Sequence, residues 1–271
     1  YNRHTDQTVN IYSAFLQNEW KNDRWGILIG GRLDKHNMVD NVIFSPRANL
    51  RFNPTQNINL RLSYSSGFRA PQAFDEDMHI ENVGGTVAMI ERAKDLKEEK
   101  SQSFSASADM YHRFGAFQTN LLIEGFYTRL TDVFVLGEPY DRGDGILVKT
   151  RSNGPGAKVM GLTLEGKVAY LSILQIQAGL TLQRSRYDEP HKWHDDAPAE
   201  KKIFRTPDTY GYFTATCTPI KPLSIALSGT YTGRMLVQRM DITAENAELG
   251  EMPERKAEAI RTPRFFDLGV K

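Results

Sequence analysis

Segment 191–196 carries the densest set of chemically reactive side chains in the sequence, reading His-Lys-Trp-His-Asp-Asp. Imidazole and carboxylate groups are the kinds that contact a metal chelate, and the ring of Trp193 suits stacking on a planar ligand. The spacing matches no closed metal site, so we expect no bound metal ion, and a plain solvated loop is the simpler interpretation. If the loop does recognise a ligand, its contacts are His191, Trp193, His194 and Asp195.

A second polar stretch, at 140–145, reads Tyr-Asp-Arg-Gly-Asp-Gly. Its two aspartates lie three apart beside glycines, but the alternating acids and the final glutamate of an EF-hand are missing. Asp-Gly is a common turn dipeptide, so we interpret the stretch as a hairpin tip. Tyr140 is a further candidate ligand contact. The charged run at 91–99 is interpreted as a solvated loop face, able to form one or two helical turns, and the mixed-charge run at 245–255 as another loop face.

Catalytic patterns are absent from the sequence, which has no Gly-x-Ser-x-Gly, no phosphate-cradling glycine loop and no His-Glu-x-x-His. Cys217 is the only cysteine, so it can neither form an internal disulfide nor join a cysteine zinc cluster. The net charge of +1 indicates no nucleic-acid partner. We therefore expect a protein that is not an enzyme and needs no cofactor.

The elements that must position these loops are strands with two unlike faces. In segment 57–65, Ile58 and Leu60 alternate with Asn59 and Arg61, and a period of two predicts a strand. Eleven such stretches occur, at 8–20, 24–33, 45–52, 57–67, 101–112, 116–130, 158–170, 173–186, 206–218, 223–234 and 264–271.

The connections between these strands alternate between tight and long. The tight ones lie near 21–23, 54–56, 113–115, 171–172 and 219–222, and the long ones at 35–44, 70–100, 131–157, 187–205 and 236–262. Short turns on one side and long loops on the other are typical of a transmembrane β-barrel, whose long loops are extracellular. The mean hydropathy of −0.48 is compatible with this, because half of each spanning strand faces the lumen.

Two features favour an apolar face that meets lipid over one buried in a soluble sandwich. Most of the strands are 10 to 15 residues long, whereas soluble strands average about 5 or 6. Aromatic residues also gather near the strand ends, where headgroup-level girdles form, at Trp20, Trp25, Phe52, Tyr64, Tyr127, Tyr170 and Tyr231. Lipid forbids open sheet edges, and eleven strands leave two. We expect an all-β fold, a partial transmembrane antiparallel β-barrel, in a chain that is part of something longer.

Several short motifs resemble those of TonB-dependent outer-membrane receptors. Segment 63–71 contains the Gly-Phe-Arg-Ala-Pro element, and 30–34 fits the Gly-x-Arg-x-Asp strand of that family. Segment 95–101 is similar to its Leu-x-Pro-Glu-x-Ser stretch, with Glu98 in place of proline. Segment 153–165 resembles its Asn-x-Gly-x-Ala stretch, with Pro155 replacing a glycine and Thr163 an acid. The order of these motifs spans nearly the whole chain.

The resemblance implies that residues 1–271 are a single segment of a barrel of about 22 strands, of which about 11 are present, with the plug domain outside this chain. Gly67, Phe68, Arg69 and Pro71 are then expected to pack against the plug or the outer loops. Glycine permits close backbone approach, proline ends the ladder, and the arginine fork suits a carboxylate.

The family resemblance implies a receptor in the outer membrane of a Gram-negative cell, in contact with its lipid. It would bind a scarce, bulky solute, namely an iron chelate (a siderophore), haem or a cobalamin, and import it with energy from the TonB complex. A surface lipoprotein is a further partner to consider. The alternatives are a passive porin or adhesin barrel, and a soluble all-β binding protein that would stay monodisperse without detergent.

Overall fold

The structure, a computed structural model, describes residues 8–71, 89–137, 140–143, 147–193, 197–220, 222–243 and 254–271. Regular secondary structure in these ranges consists of strands alone. They are β1 (Ile11–Lys21), β2 (Trp25–His36), β3 (Val42–Thr55), β4 (Ile58–Arg69), β5 (Met89–Arg92), β6 (Glu99–Phe114), β7 (Phe117–Thr131), β8 (Phe134–Leu136), β9 (Tyr140–Asp141), β10 (Leu147–Asn153), β11 (Ala157–Tyr170), β12 (Leu174–His191), β13 (Glu200–Lys202), β14 (Thr209–Ile220), β15 (Leu223–Thr232), β16 (Leu236–Thr243), β17 (Glu254–Arg261) and β18 (Phe265–Val270).

Eleven long strands form one antiparallel meander, which we call the wall. Its order is β1-β2-β3-β4-β6-β7-β11-β12-β14-β15-β18, and each pair of neighbours is antiparallel. Each predicted strand corresponds to one wall strand, so the all-β, partial-barrel prediction is confirmed. Three strands run further than expected at the long-loop side, because β2, β3 and β12 continue their ladders beyond the strictly alternating residues.

The register gives the wall one apolar face and one polar face. Leu162 lies opposite Leu182, and Leu164 opposite Leu180. These leucines remain 44 to 49% exposed, whereas a soluble sheet would bury them for about 25 cal/mol per Å² of apolar surface. The few buried apolar side chains of the described residues lie mostly in the loops and at strand ends. The wall thus has its apolar face outside, as a lipid-facing barrel requires.

An aromatic row marks the short-turn end of the wall. The Trp25 and Phe52 rings stack at 4.3 Å between centroids, and Phe117 contacts Tyr170 at 4.8 Å. All four belong to the apolar face by register. Rings at this level suit the interface between lipid and water, where an apolar body and a polar tip both find partners. Across the ranges that the structure describes, no helix is long and apolar enough to span a bilayer.

The long connections contain strands that the sequence pattern did not predict. A four-stranded sheet combines β5 with β8, β9 and β10, and β5 pairs with β10 in parallel. The interpretation of 91–99 as a solvated face is confirmed for Lys94, Asp95 and Lys97, which are exposed. Its start lies in β5 instead of a helical turn, and Glu98 is 6% exposed and paired with Lys100 at 2.9 Å. The hairpin β16–β17 includes Glu254 and Arg255, while the rest of the 245–255 run lies outside the described residues.

Candidate functional site

Three long connections pack together above the ends of β2 to β7 and form what we call the loop layer. It comprises the described residues of 37–41, 70–98 and 132–156. Backbone and side-chain hydrogen bonds join the second and third of these connections. Arg92 joins the second to the first by donating to the sulfur of Met38, and it also donates to the carbonyl of Pro71 within the second. The layer is a folded surface at the long-loop end of the wall.

A small apolar cluster lies at the base of the loop layer. Val39, Ile43 and Ala70 are each at most 7% exposed, and Phe68 packs against them. Pro71, the residue after Ala70, is fully buried, and its carbonyl accepts a hydrogen bond of 3.5 Å from Arg92. Two of the four residues expected to pack against loops or plug, Phe68 and Pro71, thus lie in loop packing.

Arg69 lies where the wall meets the loop layer. Its guanidinium donates to the Glu99 carboxylate at 3.2 Å and lies 4.8 Å from the centre of the Phe134 ring. The same Glu99 oxygen accepts from the backbone N–H of Phe134 at 3.0 Å. Glu99 therefore ties β4, β6 and β8 together. Gly67 lies on the inner face opposite Ser101, whose hydroxyl would be 3.1 Å from an added Cβ.

Asn153 makes the link between the second and third connections. Its side-chain oxygen accepts from the N–H of Lys97 at 2.8 Å, and its amide nitrogen donates to the carbonyls of Lys97 and Asp132 at 3.1 and 2.8 Å. An amide with three bonds to two separated loop segments fixes both at once. The motif at 153–165 contains this asparagine, but its sequence indicates no role for the side chain. The only available signal was its place before Gly-Pro-Gly.

Asp34 and His36 are buried at the top of β2, and neither is exposed at all. The Asp34 carboxylate accepts from Ser13 at 2.5 Å and from Arg32 at 2.8 Å. The Nδ1 atom of His36 accepts from the backbone N–H of Met38 at 3.0 Å. Burial lowers the pKa of the His36 imidazole, because the charged form would lose its hydration. His36 therefore holds the start of the first connection in its neutral form.

The candidate ligand residues lie on two separate elements. His191 ends β12 opposite Glu200, with its ring 5.6 Å from that of Tyr187, and the Trp193 ring meets Phe204 edge-on at 6.4 Å. Tyr140, in β9, is 47% exposed. No hydrogen bond or ring contact joins Tyr140 to 191–193 within the described residues. His194 and Asp195 lie outside those residues, so their roles stay predictions.

The hairpin tip expected at 140–145 is confirmed as far as the structure describes it. Tyr140 and Asp141 pair antiparallel with Val148 and Leu147. Gly143 has a φ of +98°, and its N–H donates to the Asp141 carboxylate at 2.8 Å. A left-handed glycine and an aspartate that accepts a backbone N–H two residues on are typical of a turn. The Asp-Gly dipeptide at 144–145 lies outside the described residues. Within the described ranges, no group of three or more His, Cys, Asp or Glu side chains could hold a metal ion.

The inner face of the wall below the loop layer is polar and extensively hydrogen bonded. Tyr212 donates to Glu165 at 2.5 Å and accepts from Gln177 at 2.6 Å, and Lys167 pairs with Glu165 at 3.1 Å. Farther along, the Asp109 carboxylate accepts from Asn120 and from Tyr111. A lumen lined this way can stay wet and can bind a polar domain or a polar solute.

Solved structures with a fold similar to that of this chain include three bacterial receptors and transporters. The ferric enterobactin receptor PfeA of Pseudomonas aeruginosa, a G324V mutant, is 17% identical with a TM-score of 0.69, and the match covers 99% of this chain and 38% of that one. The siderophore receptor PirA of Acinetobacter baumannii is 14% identical (TM-score 0.67; 97% and 39% covered). The iron transporter FrpB of Neisseria meningitidis is 14% identical (0.63; 97% and 38%).

These likenesses establish the fold, and this chain spans about two fifths of the length of each of those proteins. No curated protein matches the sequence. A family model described as "TonB dependent receptor-like, beta-barrel" matches residues 1–245. The match includes the Gly-Phe-Arg-Ala-Pro element, the Asn153 motif and the wall strands from β1 to β15. The chain therefore belongs to the TonB-dependent receptor β-barrel family.

Proposed function

We propose that this protein is an outer-membrane receptor of a Gram-negative cell that captures a scarce, bulky solute at the loop layer and imports it with energy from TonB. The observation that carries the proposal is the family match over a wall that presents a polar inner face below a folded loop layer. Capture needs a shaped outer surface, and passage needs a wet lumen. The proposed role is transport, with no chemical change of the solute.

An iron chelate of the siderophore type is the solute we propose first. The neighbours of similar fold are named as siderophore receptors and an iron transporter, which supports the proposal at the level of solute class. Exposed lysines at the loop surface, Lys94, Lys97 and Lys192, suit an anionic chelate, and Trp193 lies next to the last of them. Haem and cobalamin are the competing solutes, because a tryptophan ring stacks equally well on a planar macrocycle.

A plug domain and the TonB complex are the partners that we propose for the full-length protein. Gly67 and Arg69 face inward at the top of β4, and the bare backbone of Gly67 leaves room for another chain to approach. Phe68 and Pro71 are already engaged in the loop layer. We therefore propose that the plug contacts Gly67 and the Arg69 side chain, which stays 45% exposed beside Glu99 and Phe134, and that Phe68 and Pro71 position the loops. A lipoprotein over the loop layer is the partner proposed on the outside.

The test of solute and energy source is growth and uptake in a deletion strain. A strain lacking the gene, complemented with the full-length protein, is supplied with radiolabelled ferric siderophores, haem or cobalamin under limitation. We expect saturable uptake of one ferric siderophore, lost when tonB is also deleted. Uptake that persists without TonB would favour a passive barrel, and uptake of haem or cobalamin alone would overturn the siderophore assignment.

The ligand contacts are tested by truncating one aromatic ring at the loop surface. Trp193→Ala is expected to weaken binding of the transported solute to whole cells by about tenfold, the effect of losing roughly 1.4 kcal/mol of contact. Lys201→Ala, an exposed change on the neighbouring β13, is the control and should leave affinity unchanged. Equal affinity of the wild type and Trp193→Ala would remove this loop from the binding surface.

A further inference from the structure

Four cations lie side by side across neighbouring strands on the outer face of the wall. Lys158 of β11 is the direct partner of Arg129 in β7 and of Arg186 in β12, and Arg186 is the partner of Lys202 in β13. We call Arg129, Lys158, Arg186 and Lys202 the cation row. Neighbouring strands are about 4.8 Å apart, so like charges placed directly opposite each other repel and destabilise the pairing. Such a row requires compensating negative charge.

The residues that the structure describes supply only part of that charge. Asp188 lies 3.2 Å from Lys158 and 3.7 Å from Arg129, and Lys202 is paired with Asp208 at 2.5 Å. Arg186 and its neighbour Arg184 make no ion pair with a carboxylate within the described residues, and both are exposed. Both ends of the row are therefore partly neutralised, and Arg186, between Lys158 and Lys202, is left with excess positive charge.

The position of the row relative to the apolar face is informative. On the outer face of β12, Leu180 and Leu182 are followed by Arg184 and Arg186, and on β11 the leucines give way to Met160 and Lys158. Lys158 is twelve positions from Tyr170 of the aromatic row, which at about 3.3 Å per residue and a tilt near 40° raises it by roughly 30 Å. The apolar band of a barrel is about 25 Å tall, so the cations lie at the opposite headgroup level.

The side chains in this region enclose a groove. It has a volume of about 250 Å³ and is lined by Lys158, Met160, Arg184 and Arg186. Two arginine forks match the oxygens of phosphate in bidentate geometry, a lysine adds a third cation, and a methionine side chain offers apolar contact. The groove is on the face turned away from the lumen, so a solute moving through the barrel would not meet it.

We propose that this groove binds the phosphorylated headgroup of an outer-leaflet lipid, with the acyl chains lying against Leu162 and Leu182 below. The row of cations takes up the phosphate charge, which relieves the repulsion between its members. The proposal rests on the outer-membrane location given under the proposed function, but not on the identity of the solute or on TonB. Basic clusters at the edge of an apolar belt are general sites for anionic headgroups.

The test uses the full-length protein in neutral detergent, titrated with vesicles of phosphatidylcholine alone or with added diphosphorylated lipid A. Wild-type protein is expected to bind the lipid A vesicles at least tenfold more tightly than phosphatidylcholine vesicles, with an affinity that falls as salt increases. The R184A/R186A variant is expected to lose most of this preference. The variant R184K/R186K, which keeps charge but not the planar fork, is expected to fall between the two.

The matched control is K21A/R24A, which removes two exposed cations from the opposite end of the wall and should bind like wild type. The folding of every variant is checked first: a folded barrel stays folded in detergent until the sample is heated. Lipid A binding by folded R184A/R186A that equals wild type would overturn the proposal. The proposal would also be overturned if free inorganic phosphate saturated the protein in the absence of lipid and, at the same concentration, displaced the lipid A vesicles. The groove would then be a site for a free anion.

Solute uptake separates this proposal from the proposed function. Uptake by R184A/R186A should remain within about twofold of wild type at equal surface levels, because the groove faces away from the lumen. A wild-type protein that retains phosphorylated lipid but imports none of the tested solutes would refute the proposed function and support the lipid site. Normal uptake with no lipid preference would do the opposite.

Discussion

The wall and the loop layer are stabilised by different means. In the wall, long antiparallel ladders carry apolar side chains outward and polar side chains inward, and leucines such as Leu164 stay 47% exposed. In the loop layer, short strands from separate connections are joined by individual groups, among them Asn153, Glu99 and the buried His36. The wall therefore depends on its solvent, which is lipid on one face, whereas the loop layer depends on particular hydrogen bonds.

This difference implies a division of labour between the two regions. A repeated pattern tolerates exchange of one apolar residue for another as long as each face keeps its character. A layer built on single hydrogen-bonding groups tolerates little change at those groups but can vary freely between them. A substitution that changes the apolar character of the lipid face should therefore lower the stability of the whole wall. A substitution in the loop layer should destabilise only the segments that it joins.

The largest effect is expected from a charge on the lipid face near the bilayer midplane. Leu164→Arg should destabilise the full-length protein by about 2–4 kcal/mol, the cost of arginine at that depth in a transmembrane barrel. Thr214→Arg, on the inner face, is the control and should cost far less because the lumen is wet. Urea unfolding in lipid vesicles measures both. Equal costs would mean that the apolar face of β11 does not contact lipid.

An intermediate and local effect is expected in the loop layer. Asn153→Ala leaves the N–H and carbonyl of Lys97 and the carbonyl of Asp132 without their partner, at a cost of about 1–3 kcal/mol. Hydrogen exchange should speed up in 93–98 and 132–136 and stay unchanged in β11 and β12. Ser152→Ala is the neighbouring control. Faster exchange throughout the wall would contradict the separation of the two regions.

The smallest effect is expected from pH, again in the loop layer. Because burial lowers the pKa of His36, the unfolded segment takes up a proton at a higher pH than the folded one. The contribution of His36 is therefore complete above about pH 6.5 and decreases below it, by at most about 1.4 kcal/mol per pH unit until the lowered pKa is reached.

Hydrogen exchange of 37–41 measures this dependence. Protection at pH 5 should fall below protection at pH 7.5 after correction for intrinsic rates, and His36→Gln should abolish the difference while a change at the exposed His112 should not. Pronounced loss of protection in the wall between the same two pH values would show that the histidine acts on more than its own connection.

The wall could be predicted because its signal is local. Alternation within 57–65 or 173–186 is enough to indicate a strand, its two faces and, with the short turns, its neighbours. The loop layer could not, because β5 has four residues and pairs in parallel with β10, which lies more than fifty residues away. No periodicity within a four-residue segment indicates such a partner, so the sequence predicted a loop able to form helical turns where β5 lies.

The candidate site was predictable only in part, for a related reason. The motif around Arg69 pointed to packing at the end of β4, and the structure places Phe68 and Pro71 in that packing. The partner of Arg69, Glu99, follows from the β4–β6 register, which the sequence alone does not specify residue by residue. The composition of 191–196 indicated a chemically rich loop but not that Trp193 would lie against Phe204.

Strand β12 has a consequence for how such a surface can change over generations. At 18 residues it is about 60 Å long, well beyond what a band of about 25 Å requires at a tilt near 40°. The excess stands clear of the membrane as a stiff support, braced by β13. Residues at the tip can therefore change without disturbing the register of the strands below, because the ladder that fixes this register lies in another stretch of the polypeptide.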